Sequence, residues 1–189
     1  MKKALSLVLC LLFVFTLCAC GSKDKKSEDT VDIEYFVKNG KIPECEYALG
    51  VSANEITEKL DGASSTAQSD EEANFDEPLY TTMEKGNRTG IITDTISYFY
   101  DTKDKNKTVN YIVSYSGACG FNQGDMKQSI TDTLKKGDLN AKPETLSAEE
   151  TFFFPVTGEF EGIKYSFGEN TLCFIFDSDQ LCACALYKN

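Results

Sequence analysis

Apolar positions along this 189-residue chain recur with two different periods. Ile33, Phe36 and Val37 share one face at helical spacing, and Asn39-Gly40 supplies a stop, which predicts a short helix over 30–38. Ser52 and Glu55 form a capping box ahead of Ile56 and Leu60, which predicts a second helix ending at Gly62. Seventy residues later Gly120 leads into Asn122, Asp125, Met126 and Ile130, the same residue classes at the same spacing, and the stripe continues to Leu134 before Gly137. This reads as a duplicated helix start.

After each helical stretch the period falls to two. Residues 93–101 place Ile96, Tyr98 and Tyr100 on one side and Thr95, Ser97 and Phe99 on the other. Residues 108–116 set Val109, Tyr111, Val113 and Tyr115 against Asn110, Ile112 and Ser114. Further strands are predicted at 79–83, with Pro78 marking an edge, and at 151–156, 162–167, 171–177 and 180–187. Tight turns fall at 168–170 and 177–180. The expected fold is α+β: two tandem repeats, about 31–117 and 118–189, each with helices followed by antiparallel strands, forming a sheet with helices on one face.

The N-terminus changes the picture. Met1-Lys2-Lys3 precedes an apolar run from Ala4 to Leu17, shorter than the roughly 20 residues a membrane span requires. It ends in Leu17-Cys18-Ala19-Cys20-Gly21, which resembles the lipobox of bacterial lipoproteins. The resemblance implies a signal peptide at 1–19, acyl chains on Cys20, and a protein held at the extracytoplasmic face of the cell membrane. Residues 22–30 are polar throughout and read as a flexible tether to a domain at 31–189.

Formal net charge is −11, and loss of Lys2 and Lys3 with the leader makes the mature chain more acidic still. Such a surface repels nucleic acid and anionic headgroups, so no nucleic-acid partner is expected and the acyl anchor must supply membrane affinity. Five cysteines lie in the domain: Cys45, Cys119, Cys173, Cys182 and Cys184. With a two-residue turn at Ser178-Asp179, Cys173 would face Cys184 across two strands, a spacing open to a disulfide or to two buried thiols.

Residues 38–47, Lys-Asn-Gly-Lys-Ile-Pro-Glu-Cys-Glu-Tyr, followed by Gly50 and the Glu55–Leu60 helix, resemble an uncharacterised domain family of Gram-positive bacteria. The resemblance implies a secreted or lipid-anchored envelope protein, similar in plan to the tandem repeats of beta-lactamase inhibitory protein. It carries no catalytic residues to this chain.

Chemistry is sparse. The chain has no histidine, which removes the common general base for serine or cysteine nucleophiles. Residues 101–106 faintly echo a calcium loop, but lysines stand at 103 and 105 where oxygen ligands are needed. Asp177 and Asp179 are explained by their turn. No catalytic residue, cofactor or metal is therefore expected. If the tyrosine-rich sets face the helices, the other sheet face carries Phe99, Ile112, Ile175 and Leu186, a semi-apolar surface expected to bind an unidentified envelope protein. The function expected is a non-enzymatic protein-binding module of the envelope. The alternatives are a structural or assembly factor, or a carboxylate-based hydrolase acting on the cell wall.

Overall fold

The computed structural model describes residues 32–67, 79–155 and 158–189, without the side chains of 64–67. The leader, Cys20, the tether and the polar stretch at 68–77 lie outside the described residues.

Eight strands form one antiparallel sheet: β1 (Thr81–Lys85), β2 (Arg88–Ile92), β3 (Ile96–Asp101), β4 (Val109–Ser114), β7 (Glu144–Thr145), β8 (Phe160–Phe167), β9 (Asn170–Asp177) and β10 (Gln180–Lys188). Their order across the sheet is β1-β2-β3-β4-β10-β9-β8-β7. Two four-stranded meanders thus meet through their last strands. A separate two-stranded ladder joins β5 (Gly117–Ala118) to β6 (Phe121–Asn122). Three helices, α1 (Ile33–Lys38), α2 (Ala53–Ala67) and α3 (Lys127–Lys136), complete the described elements. The α+β class and the large antiparallel sheet agree with the alternation in the sequence.

Local chemistry accounts for the helix ends. Asp32 accepts the Tyr35 N–H at 3.0 Å, and Gly40, at φ +62°, follows the end of α1. At α2, Ser52 Oγ accepts the Asn54 N–H at 3.4 Å and donates to Asn106 O at 3.2 Å, so it also ties the helix to the β3–β4 turn. Gly62 does not end this helix, which runs to Ala67.

The duplicated motif does not fold the same way twice. Asp125 Oδ2 accepts the Asn122 N–H at 2.8 Å, closing a turn, and α3 starts only at Lys127. Met126, the counterpart of buried Ile56, is half-exposed, while Ile130 and Leu134 are buried as expected.

One face of the sheet packs on the helices. A row of cross-strand neighbours, Tyr98, Ile112, Leu186, Leu172 and Tyr165, runs over it and joins Ile33, Val37, Ile56, Ile130 and Leu134 in a single core. The opposite face carries Phe99, Tyr111, Val113, Phe160, Cys173, Ile175, Ala183 and Ala185. It is also buried, under residues 146–154, which contribute Leu146, Phe152, Phe153 and Phe154. Residues 151–156 were expected to form a strand, yet 151–155 are a turn and bends. Three consecutive phenylalanines suit a strand by propensity, but their rings gain more by seating on an aromatic sheet face. Phe99 meets Phe152 edge-on at 4.8 Å, and Phe160 stacks on Phe154 at 4.5 Å.

Two irregularities reassign faces. In β4 the register slips between Phe99–Tyr111 and Tyr100–Val109, leaving Asn110 extra, so Val109 and Ile112 both point to the helices. In β10 the slip between Leu181 and Ala183 leaves Cys182 extra, so Ala185, not Cys184, lies opposite Cys173. Cys184 therefore belongs to the helix-side core and Cys173 to the opposite one. A Cys173–Cys184 disulfide is excluded by the sheet between them, and all five domain cysteines are free thiols.

Burial raises each of these thiols: Cys45, Cys119 and Cys173 to about 12, Cys182 to about 11, and Cys184 well above its ordinary value. Cys182 alone among them is partly exposed. Alkylation of the native protein, quenched and mapped by peptide, is expected to modify Cys182 about tenfold faster than the other four. Equal labelling of all five without denaturant would contradict the packing.

Two substitutions test the second core. Phe99→Ala removes a ring that is 1% exposed, so a loss of about 3–5 kcal/mol and a melting midpoint lower by about 10 °C are expected. Gly162→Ala would place a Cβ 2.6 Å from Leu146 Cδ2 and 2.7 Å from Cys173 Sγ. It is expected to cost about 1–3 kcal/mol in thermal or urea unfolding, because Leu146 can no longer seat.

Candidate functional site

The expected partner surface is absent. Phe99, Ile112, Ile175 and Leu186 are each 0–1% exposed, and they do not share a face. Phe99 and Ile175 lie under residues 146–154, whereas Ile112 and Leu186 are neighbours beneath the helices. The slips at Asn110 and Cys182 are the cause: counting alternation straight through β4 and β10 puts Ile112 and Leu186 on the wrong side.

The other sequence candidates resolve as turns. Asp101 accepts the Lys103 N–H at 2.8 Å, and Asp104 accepts those of Asn106 and Thr108 at 3.0 and 2.8 Å. The Thr108 and Asn106 amides hold the Asp104 carboxyl below its usual range. Residues 101–106, which echo a calcium loop in sequence, are thus closing their own hairpin. Among the described residues no group of three or more Cys, Asp or Glu side chains is placed to hold a metal ion.

A groove of about 720 Å³, open to solvent, forms where the β9–β10 turn meets the loop before α3. Gln123, Gly124 and Met126 line one side, and Asp177, Ser178, Asp179, Gln180, Leu181 and Cys182 the other. The main chains of the two walls are tied together. Gly124 N–H donates to Leu181 O at 2.8 Å, Leu181 N–H to Asp125 O at 2.9 Å, and Lys127 N–H to Asp179 O at 2.7 Å. Ser178 holds the turn in the left-handed region at φ +57°.

Lys127 clamps the wall from outside. Its ammonium meets Glu161, Asp179 at 3.0 Å and Ser178 O at 3.3 Å. The hydrogen bonds it donates to Glu161 and then Asp179 raise its pKa. The cation is thereby spent inside the protein, and the carboxylates of Asp125, Asp177, Asp179 and Glu161 leave this corner net acidic.

Reactive chemistry is weak here. Cys182 Sγ donates to Ile175 O at 3.3 Å, and burial followed by the Asp177 charge lifts the thiol to about 11, so almost no thiolate exists at neutral pH. What the groove offers is recognition: an apolar thioether on Met126, half-exposed, the side-chain amides of Gln123 and Gln180, and the Asp177 carboxylate. Sequence reasoning put Met126 on an apolar helix face and passed over Gln123 and Gln180. No local signal marks them, since the groove exists only once β10 docks beside residues 123–126.

No family model matches the chain, and no curated protein matches it. Among solved structures the chain is similar to that of a DUF4309 family protein, YjgB, from Bacillus subtilis subsp. subtilis str. 168. The two share 11% identity with a TM-score of 0.41, over 85% of this chain and 94% of that one. At that level the likeness carries no argument about family or activity.

Proposed function

We propose that this protein is anchored by acyl chains on Cys20 to the extracytoplasmic face of the cell membrane and is a non-enzymatic module that binds another envelope protein. The anchor rests on the leader sequence Leu17-Cys18-Ala19-Cys20. No helix among the described residues is long and apolar enough to cross a membrane. The binding role rests on one observation. The groove at 123–126 and 177–182 joins an exposed methionine and free amides to an acidic rim, and its single thiol is held protonated.

This reading moves the partner surface from the sheet face to the sheet's end. Methionine and unpaired amides adapt to a protein surface, and the acidic rim favours a partner with basic side chains nearby.

A photo-crosslinking residue in place of Gln180, in the full-length anchored protein in its own cells, is expected to capture an envelope protein. The same probe at Lys105, in the turn at the far end of β4, is expected not to. Met126→Asp is expected to reduce the Gln180 crosslink about tenfold, with thermal stability unchanged. Equal capture from both positions, or none at Gln180, would remove the groove as the binding surface. Release of a Cys20→Ser protein into the medium tests the anchor separately.

A further inference from the structure

Residues 147–154 lie on the sheet without joining it. Leu146 N–H still donates to Phe160 O at 2.9 Å, the last main-chain bond from this stretch to a strand. Beyond it the backbone bonds are internal: Glu150 N–H and Thr151 N–H donate to Ser147 O at 3.1 and 3.2 Å, and Phe154 N–H to Thr151 O at 3.0 Å. Ties to the sheet run through side chains. Tyr111 Oη donates to Glu150 O at 2.9 Å, and Lys85 Nζ to Phe154 O at 3.1 Å. Arg88 sits over the rings of both Tyr111 and Phe152, at 4.8 and 4.6 Å. The segment can therefore leave without breaking one bond of the strand ladder.

Glu150 is where these ties converge. Its Oε2 accepts both the N–H and the Oγ of Ser147 at 2.9 Å, which closes the turn, and its Oε1 pairs with the Lys164 ammonium. Lys164, on β8, also meets Glu144 Oε1 of β7 at 2.6 Å. Around the pair stand Tyr111 of β4, Tyr187 of β10 and the Cys173 thiol of β9, all neutral at physiological pH. One side-chain cation thus answers two carboxylates, one from the segment and one from the sheet edge.

We propose that residues 147–154 are a strap latched by Glu150 onto Lys164, and that in acid the strap lifts off while the eight strands stay paired. Partial burial pushes Glu150 up, but the Lys164 ammonium and the Ser147 donors outweigh it, and the carboxyl sits below its usual range. Burial likewise opposes the charge on Lys164, and the bonds to Glu144 and Glu150 more than reverse it. A carboxyl depressed in the folded state contributes stability above its unfolded value of about 4.3 and loses it as pH falls through the folded value. The latch is therefore closed at neutral pH. Its release uncovers Phe99, Tyr111, Val113 and Ile175, an apolar face the neutral protein hides.

Hydrogen exchange read by mass spectrometry on the full-length protein tests this, with rates corrected for the intrinsic effect of pH. In the wild type, amides of 151–154 are expected to lose about fivefold in protection between pH 7 and pH 3, while those of β9 and β10 change less than about twofold. Glu150→Gln keeps an acceptor for Ser147 but removes the charge, and it is expected to show the acid pattern already at pH 7. Lys164→Gln, the second variant, is expected to do the same and to lose the pH response. If strap and strands gain exchange together in the wild type, the strap is part of one cooperative core and the proposal fails. Wild-type protection of the strap at pH 7 in both variants would overturn it equally.

Discussion

A sheet that is apolar on both faces must be covered twice, and the rest of this structure follows from that requirement. Burying a large side chain contributes roughly 1.5–3 kcal/mol, and an eight-stranded sheet with a bare aromatic face would forgo that many times over. The three helices cover one side with Val37, Ile56, Ile130 and Leu134. Residues 146–154 cover the other side with Leu146, Phe152, Phe153 and Phe154. Close seating explains two glycines in the strands: a Cβ at Gly90 would lie 2.4 Å from the Phe99 ring, and one at Gly162 would strike Leu146.

The junction of the two meanders determines which residue lies on which face. β4 and β10 pair along Tyr111–Ser114 and Cys184–Tyr187, and each carries one extra residue outside that paired stretch. Asn110 and Cys182 are those residues. Such bulges keep the central rows in register while shifting the flanking positions to the opposite side. Ile112 can thus meet Leu186 among the helix-side residues, and Cys173 is separated from Cys184 by the thickness of the sheet. Before the bulge at Cys182, the start of β10 bridges through Gln180 to Met126, where the groove opens.

Charge is arranged around this scaffold with few buried costs. Lys127 and Lys164 each answer two carboxylates at the sheet's margin, one closing the groove wall and the other holding the strap. With basic groups engaged inside the protein, the acidic residues dominate what a partner meets. The binding role proposed for the groove accords with that arrangement and with a thiol that burial keeps protonated.

The sequence by itself determined a helix ending at Lys38, another ending before Gly137 (though with its start placed at Asn122, five residues too early), most of the alternating strands, both tight turns and the α+β class. Those features rest on local periodicity and turn chemistry, and Gly40 and Ser178 behave as their positions demand. It missed β2, whose Arg-Thr-Gly-Ile-Ile lacks alternation, and it made a strand of 151–156. Tertiary structure alone decided which face each strand residue took, since a one-residue bulge reverses the parity and leaves no mark in composition. It decided likewise that Phe99, Ile112, Ile175 and Leu186 are core residues, and that Met126 and Gln180 share a groove. A pattern of apolar positions says what must be buried. Only the packed chain says against what.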